Sequence, residues 1–230
     1  MNTLLVTGSN RGIGLEIVRQ YAQLGWQIHA CCRQPNNAQE LQSLAKNNSA
    51  IQIHPLDISD ETQIAALADE LKDSSIDLLF NNAGIYGQQN ASFGNTDSQQ
   101  WLDCFYINCI AQLKMCEAFV EQVARSQHKT IASMSSKMGS MADNGSGGSY
   151  VYRSSKAALN AAMKSVSIDL KPRGIKVAIL HPGWVLTDMG GPHAEISTAE
   201  SVQQMRTTLE NLTLDTSGSF FEIDGSIIPW

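Results

Sequence analysis

Short apolar runs alternate with amphipathic stretches along the whole of this 230-residue chain. The short runs are typical of strands, and the stretches in which apolar residues recur every three or four positions are typical of helices. The expected strands are residues 4–6, 26–32, 51–56, 76–80, 130–134, 175–180 and 219–223. The expected helices are residues 13–24, 64–71, 97–125, 152–170 and 198–212. This alternation predicts an α/β fold: a doubly wound, mostly parallel sheet of about seven strands with helices on both faces.

Length and charge narrow the classes of protein that the chain can belong to. A chain of this size can bury one substantial core, so residues 1–230 are expected to form a single domain. The net charge of −6 and the lack of a basic run argue against nucleic-acid binding, and no apolar stretch is long enough for a membrane span. With no signal-type segment at the N-terminus, a cytoplasmic location is expected. The five cysteines lack metal-type spacing, so buried reduced thiols and no metal site are expected.

Two long segments interrupt the alternation, and both are rich in glycine. Residues 137–149 follow the expected fifth strand, and residues 181–197 follow the sixth. Loops of more than a few residues are more often functional than merely connecting. Loops that follow the strands of an open parallel sheet lie at its carboxyl edge, where ligands bind. We therefore expect a ligand site at this edge, with residues of about 182–197 as the substrate loop.

A glycine-rich turn, Thr7-Gly8-Ser9-Asn10-Arg11-Gly12-Ile13-Gly14, lies between the first strand and the first helix. Its glycines allow a tight turn, a close approach of the backbone to a pyrophosphate and close packing of helix on strand. The N-terminus of the helix would supply free N–H groups and the positive end of its dipole to the anion. Glycine also serves turns without a ligand, so the strand–turn–helix context carries much of the prediction of a dinucleotide site.

The turn is the first of several elements that occur in a fixed order. Its spacing, TGxxxGxG, resembles the short-chain dehydrogenase/reductase family, which implies a Rossmann-type fold. The elements that match the family are Asn81-Asn82-Ala83-Gly84 after the fourth strand, Asn108 in the long helix, Ser136 after the fifth strand, Tyr152 with Lys156, and Pro182-Gly183 with Thr187. The residues after Ser135 and the last seven residues of the chain are similar to the carbonyl-reductase branch of the family, which contains the sniffer and C-factor proteins.

Tyr152 and Lys156 are the expected catalytic pair. They are four residues apart, so on a helix they share one face, whereas Tyr150 lies off that face and is expected to have no catalytic role. A phenol with its ordinary pKa near 10 is a poor base at neutral pH, but a neighbouring ammonium favours the phenolate. A pKa lowered by about two or three pH units would bring Tyr152 close to the range for proton transfer. In carbonyl reduction Tyr152 would then donate a proton to the substrate oxygen.

Two more residues complete the expected catalytic set. Ser136 would hydrogen-bond the substrate oxygen and stabilise its developing charge, with Ser135 as the alternative serine. Ser136 aligns with the second serine of the family's pair, although its interval to Tyr152 is a few residues longer than in most relatives. The resemblance also implies that Lys156 holds the ribose hydroxyls of the cofactor and that Asn108 takes part in a water-mediated proton relay beyond it.

The segment after the second strand indicates the type of dinucleotide. A domain that prefers NAD usually has an acidic residue there for the ribose hydroxyls, but in this chain Arg33 follows the strand. Arg33 and Arg11 could pair with a 2′-phosphate, since arginine presents a planar fork of donors. NADP(H) is therefore favoured, with NAD(H) as the alternative. Asp57 resembles the family's adenine-contacting aspartate; it could equally be a turn or cap residue, and Asp60 competes for the cap.

The resemblance assigns the substrate side of the site to the loop at residues 182–197. Thr187 resembles the position that bonds the nicotinamide carboxamide, and Gly190-Gly191 would permit a mobile lid. Trp184 and Met189 could form an apolar wall, although packing is the commoner use of such side chains. The residues expected to hold the cofactor are Gly8, Asn10, Arg11, Gly12, Ile13, Gly14, Arg33, Asp57, Asn82, Ala83, Gly84, Tyr152, Lys156, Pro182, Gly183, Val185 and Thr187.

Together these features predict an NADP(H)-dependent oxidoreductase that reduces the carbonyl of an aldehyde, ketone or quinone to an alcohol by hydride transfer. The alternative is a dinucleotide-binding signalling or regulatory protein of the C-factor type with little turnover. All four expected catalytic positions are filled, which argues against a degenerate enzyme. The resemblance further implies possible assembly as a homodimer or homotetramer, and the sequence does not choose between dimer, tetramer and monomer.

Overall fold

Seven parallel strands form one sheet in the order β3-β2-β1-β4-β5-β6-β7 in the computed structural model, which describes residues 1–230. The strands are β1 (Thr3–Thr7), β2 (Gln27–Cys32), β3 (Ile51–Pro55), β4 (Leu78–Asn81), β5 (Thr130–Met134), β6 (Lys176–Leu180) and β7 (Ser219–Phe221). All six strand pairs are parallel. The expected doubly wound α/β fold is confirmed.

Seven α-helices connect and cover the strands. They are α1 (Gly12–Gln23), α2 (Gln39–Asn47), α3 (Glu61–Glu70), α4 (Ser98–Phe105), α5 (Ala111–Ala124), α6 (Tyr150–Leu170) and α7 (Thr198–Glu210). None of these helices has a stretch that is both long enough and apolar enough to span a lipid bilayer.

The core has two parts, one on each face of the sheet. Successive residues of a strand point to opposite faces, so Leu4 and Val6 of β1 join one buried cluster and Leu5 joins the other. Helices α1 and α7 pack against the first face, and α3, α5 and α6 pack against the second. Because both faces are covered, the strands are nearly continuous apolar runs, as expected for a parallel sheet.

The strand order reverses between β1 and β4, which are neighbours in the sheet. The chain proceeds outwards from β1 to β3 in one direction and from β4 to β7 in the other. At such a switch point the connections leave the two central strands on opposite faces of the sheet, and a crevice opens at the carboxyl ends of these strands. This crevice is where the fold places a ligand.

Two helical predictions differ from the structure. Helix α2 was not expected, because its short sequence is largely polar and it buries only Leu41 completely. The expected long helix at residues 97–125 is continuous in direction but contains a π-helical turn, Tyr106–Ile110, between α4 and α5. A π-turn has no apolar period that distinguishes it from an α-helix, and such turns are frequent at functional sites.

Candidate active site

Four connections meet at the carboxyl edge of the sheet and bring the expected site residues together. The glycine turn follows β1, and the segment 82–84 follows β4. Ser136 is the second residue after β5, and Pro182-Gly183 follows β6. Tyr152 and Lys156 reach the same edge from the first two turns of α6, where both are buried. Residues that are more than a hundred positions apart in the sequence therefore share one crevice.

The glycine turn and the N-terminus of α1 form a cradle that fits an anion. No side chain caps α1, and the backbone N–H groups of Gly12, Ile13 and Gly14 donate to no acceptor in the chain. A Cβ atom at Gly14 would lie 2.1 Å from the carbonyl oxygen of Gly8, so only glycine allows this approach of helix to turn. Unsatisfied N–H groups at a helix N-terminus are suited to a phosphate, so the residues present fit the pyrophosphate of a dinucleotide.

Thr7 fixes the segment after β4 against the glycine turn. Its hydroxyl oxygen accepts hydrogen bonds from the backbone N–H groups of Asn82 at 3.1 Å and Ala83 at 3.0 Å. The side-chain amide of Asn82 donates in return to the carbonyl oxygens of Thr7 at 2.9 Å and Gly8 at 3.1 Å. Thr7 was absent from the expected site residues although it opens the glycine turn, and that position was the signal that could have identified it.

Tyr152 and Lys156 lie close together, but the expected effect of the ammonium on the phenol is wrong for this arrangement. The Nζ atom of Lys156 lies 5.7 Å from the centre of the Tyr152 ring and donates a hydrogen bond to the carbonyl oxygen of Met134 at 2.8 Å. Burial raises the pKa of Tyr152 above its usual range, and the neighbouring Ser136 hydroxyl acts in the opposite direction. Burial also lowers the pKa of Lys156 to about 8. Desolvation is thus the main cause of both shifts, and neither group is among the causes of the other's shift.

The two candidate serines make different contacts. The Ser135 hydroxyl donates to Oδ1 of Asn160 at 2.5 Å and is 1% exposed, so it belongs to the interior beneath α6. The Oγ atom of Ser136 accepts from the backbone N–H of Met138 at 3.2 Å, which leaves its proton free for another acceptor. Ser136 is also the serine that influences the Tyr152 phenol. The geometry thus favours Ser136 over Ser135.

Asn108 lies in the π-helical turn, and its side chain holds the segment after β4. Its Oδ1 atom accepts from the backbone N–H of Ile85 at 2.9 Å, and its Nδ2 atom donates to the carbonyl oxygen of Ile85 at 2.8 Å. The same Nδ2 atom also donates to the Ser155 hydroxyl at 3.0 Å. A Cβ atom at Gly84 would lie 3.0 Å from Oδ1 of Asn108 and 3.5 Å from Nζ of Lys156, so Asn108 and Lys156 flank Gly84.

The residues expected to recognise a 2′-phosphate and an adenine have different surroundings. Arg33 is exposed after β2 and forms no salt bridge within 4.0 Å, whereas Arg11 pairs with Asp188 of the substrate loop. Asp57 accepts hydrogen bonds from the backbone N–H of Ser59 at 3.0 Å and its hydroxyl at 2.7 Å, which is the turn role considered above. The cap of α3 is Asp60, whose side chain accepts from the first turn of the helix.

The loop after β6 folds over the glycine turn. A Cβ atom at Gly12 would lie 3.3 Å from Cγ2 of Thr187, which places this threonine against the expected cofactor cradle. Val185 is buried and pairs with Ile196 in an isolated bridge across the loop. Trp184 is 49% exposed, and its indole N–H donates to the carbonyl oxygen of Gly190 at 2.8 Å. The loop is therefore closed by internal contacts, with an exposed aromatic ring on its surface.

Comparison with known proteins places this arrangement in a family. The short chain dehydrogenase family matches residues 2–196. The C-signal protein of Myxococcus xanthus is 40% identical over 165 residues, which cover 72% of this chain and 99% of that protein. The carbonyl reductase Sniffer of D. melanogaster has a TM-score of 0.95 and 37% identity over 100% of both chains.

A further solved structure, the NADPH-bound carbonyl reductase from chicken fatty liver, has a TM-score of 0.93 and 35% identity. That alignment covers 100% of this chain and 99% of the other. The likeness extends over the entire sheet as well as the glycine turn and helix α6 that line the crevice. On the family match and on this identity over the full length, the chain belongs to the short-chain dehydrogenase/reductase family.

Proposed function

We propose that this chain is an NADPH-dependent oxidoreductase that reduces the carbonyl of an aldehyde, a ketone or a quinone to an alcohol. The observation that carries the proposal is the burial of Tyr152 and Lys156 side by side at the carboxyl edge of the sheet, with Ser136 next to the phenol. The similarity to Sniffer and to the NADPH-bound chicken carbonyl reductase supports the same class of substrate and the same cofactor.

In this proposal NADPH would supply a hydride to the carbonyl carbon, and the residues of this chain would hold it beside Tyr152. The free N–H groups at the start of α1 would bind the pyrophosphate. Arg33 would pair with the 2′-phosphate, because it has no carboxylate partner of its own, and Arg11 would do so after leaving Asp188. Thr187 and Lys156 would contact the nicotinamide and its ribose, as the family resemblance implies.

Tyr152 would act as the general acid of the reduction. Burial raises its pKa, so the phenol carries its proton at neutral pH, and donation of that proton to the substrate oxygen requires the resulting phenolate to be stabilised. The proton of the Ser136 hydroxyl is free to hydrogen-bond the same oxygen and stabilise its charge as the hydride arrives. The product is an alcohol, with one hydrogen on carbon from the cofactor and one on oxygen from Tyr152.

Lys156 and Asn108 would complete the proton transfer. Once Tyr152 has given up its proton, the ammonium 5.7 Å from its ring would stabilise the phenolate. With its pKa lowered to about 8, Lys156 can also release and regain a proton near neutral pH. Asn108, whose Oδ1 atom lies next to Gly84 as does the Nζ atom of Lys156, would take part in the water-mediated relay that the family resemblance implies.

A second candidate is a dinucleotide-binding signalling or regulatory protein with little turnover. It is favoured by the 40% identity to the protein named C-signal. The two candidates differ in catalysis but agree in cofactor binding, so binding alone does not separate them. The small-molecule partner, a carbonyl or alcohol, belongs to the first candidate only.

The test is a screen of NADPH and NADH oxidation with a panel of aldehydes, ketones and quinones, with the cofactor affinity measured in parallel. We expect turnover with NADPH, lower activity with NADH, and a preference for one class of carbonyl. Tight NADPH binding without turnover on any member of the panel would refute the reductase and favour the binding protein.

A further inference from the structure

Tyr86 follows the Asn82-Ala83-Gly84 segment and belongs to none of the elements considered above. We propose that Tyr86 is a positioning residue: it fixes the ring of Tyr152 in the orientation needed for proton donation. This inference rests on the proposed role of Tyr152 as the general acid. It assigns Tyr86 a contribution to turnover that does not require it to touch the substrate or the cofactor.

The first observation is the contact between the two rings. The ring centroids of Tyr86 and Tyr152 are 4.6 Å apart and the ring planes differ by 20°, so the rings are stacked. Tyr152 is 9% exposed, and Tyr86 is half-buried against it. The side chain of tyrosine rotates about two bonds, so a stacked neighbour on its face restricts the remaining freedom of the ring and with it the direction of the hydroxyl.

The second observation links Tyr86 to the start of the helix that carries Tyr152. The Tyr86 and Ser149 hydroxyl oxygens are 3.0 Å apart, and the Ser149 backbone N–H donates to the carbonyl oxygen of Ala91 at 2.8 Å. Ser149 immediately precedes α6 and has a φ of +47°, which a serine rarely adopts. The contacts with Tyr86 and Ala91 therefore hold Ser149 in a strained conformation, and Ser149 lies three residues before Tyr152.

The third observation is that Tyr86 itself stands on a fixed support. Asn108 holds both backbone polar groups of the preceding residue, Ile85. The carbonyl oxygen of Tyr86 lies 3.8 Å from the Sγ atom of Cys104, and that thiol is buried between α4 and α6. Because its backbone is held in this way, Tyr86 can keep its ring in a fixed position against the ring of Tyr152.

The fourth observation is a cleft of about 350 Å³ that Tyr86 helps to line, together with residues of α4 such as Gln100 and Asp103. Tyr152 is not part of this lining. Tyr86 thus contacts both this cleft and the ring of Tyr152. Its removal would leave the Tyr152 ring without a neighbour on that face and with room to rotate.

The experiment compares two substitutions at one position. Tyr86→Phe keeps the stacked ring and removes only the hydroxyl, whereas Tyr86→Leu removes the ring. Since a misplaced catalytic group costs up to about a hundredfold in rate, we expect Tyr86→Leu to lower kcat by at least about tenfold. The KM and the NADPH Kd should change by less than about threefold, and Tyr86→Phe should retain most of kcat. Tyr150→Leu is the matched control, because Tyr150 is an exposed tyrosine of α6, the helix that carries Tyr152. This variant should behave as the unmodified chain.

The outcomes separate this inference from the proposed function. A kcat for Tyr86→Leu within twofold of the unmodified chain overturns the positioning role. A loss of kcat that is accompanied by a similar fold loss of NADPH affinity and by a lower Tm overturns it as well. If Tyr152→Phe retains turnover, or if the unmodified chain turns over no carbonyl, the general-acid role fails and this inference fails with it. If Tyr152→Phe is inactive and Tyr86→Leu is fully active, only this inference is wrong.

Discussion

The Nζ atom of Lys156 lies 5.7 Å from the centre of the Tyr152 ring, but its hydrogen bond goes to the carbonyl oxygen of Met134. The ammonium is thus anchored to the end of β5 and makes no hydrogen bond to the phenol. A charge fixed in this way costs no rearrangement when a phenolate forms next to it. In the proposed reduction the pair would combine a protonated donor with a cation that is already in place for the charge left behind.

The first prediction concerns the proton donor. Tyr152→Phe removes the acidic hydroxyl and keeps the ring, so it should lower kcat by about 10²- to 10⁴-fold, the usual contribution of a general acid. NADPH binding should be little changed, because the ring and the neighbouring Lys156 remain. Steady-state kinetics and a fluorescence titration with NADPH measure the two effects. Tyr150→Phe is the control and should retain full activity; a fully active Tyr152→Phe enzyme would remove Tyr152 from the mechanism.

The second prediction separates the two serines. Ser136→Ala should lower kcat by about 10²- to 10³-fold, as for the loss of one oxyanion donor, with a modest loss of Tm because the backbone N–H of Met138 loses its acceptor. Ser135→Ala should lower Tm and leave kcat largely unchanged, because the buried Oδ1 atom of Asn160 loses its hydrogen bond. An unsatisfied buried acceptor costs about 1–3 kcal/mol of stability. Activity assays and thermal unfolding of both variants check the prediction, and the opposite pattern would make Ser135 the catalytic serine.

Much of the fold could be predicted from the sequence because its signals are local. The alternation of apolar runs and amphipathic stretches predicts all seven strands. No predicted strand end differs from the observed end by more than two residues. The short polar helix α2 lacks a strong apolar period, so its sequence resembles a loop. The π-helical turn contains Asn108, whose hydrogen bonds to Ile85 are tertiary contacts, and no apolar period in the helix could indicate either the turn or these bonds.

The sequence predicted several of the residues that the structure brings together at the crevice, but it did not predict their electrostatics. Order and spacing identify Tyr152 and Lys156, yet they contain no information on burial, which raises the pKa of the phenol instead of lowering it. The same limit applies to Arg11, whose pairing with Asp188 joins residues 177 positions apart. Tyr86 was missed because its role depends on a ring that lies 66 residues further along the chain. Such contacts exist only after the sheet has assembled.

The third prediction concerns the choice of cofactor. Arg33 has no salt-bridge partner, so it is free to pair with a 2′-phosphate. Hydrogen bonds to a charged group are each worth about 1.5–3 kcal/mol, so Arg33→Asp should weaken NADPH binding by at least about tenfold. NADH lacks the phosphate and should bind with little change. Arg125→Asp, at the end of α5 away from the site, makes the same change in charge and serves as the control. Equal losses for the two cofactors would contradict the assignment to NADP(H).

The fourth prediction follows from the burial of Lys156, which lowers its pKa from 10.5 to about 8. Between these values the unfolded chain binds a proton that the folded chain does not, so the contribution of Lys156 to the free energy of unfolding increases with pH. Below pH 8 both states are protonated, and the cost of the buried charge is constant and at its largest. Removal of this charge in Lys156→Met should therefore contribute about 3 kcal/mol of stability at pH 7, at about 1.4 kcal/mol per pH unit, while the lost hydrogen bond to Met134 costs about 1–3 kcal/mol at any pH.

The stability of Lys156→Met relative to the unmodified chain should therefore fall as the pH rises from 8 and should level off above pH 10.5, where both the folded and the unfolded chain have lost most of that proton. Urea unfolding of both proteins across this range measures the difference, in which the titration of the shared cysteines and tyrosines cancels. Lys164→Met, at an exposed lysine of the same helix, should show no such dependence on pH. Parallel stability curves for Lys156→Met and the unmodified chain would mean that Lys156 keeps its ordinary pKa in the folded protein. In that case it could not exchange protons near neutral pH, and its part in the relay would have to be carried by its fixed charge alone.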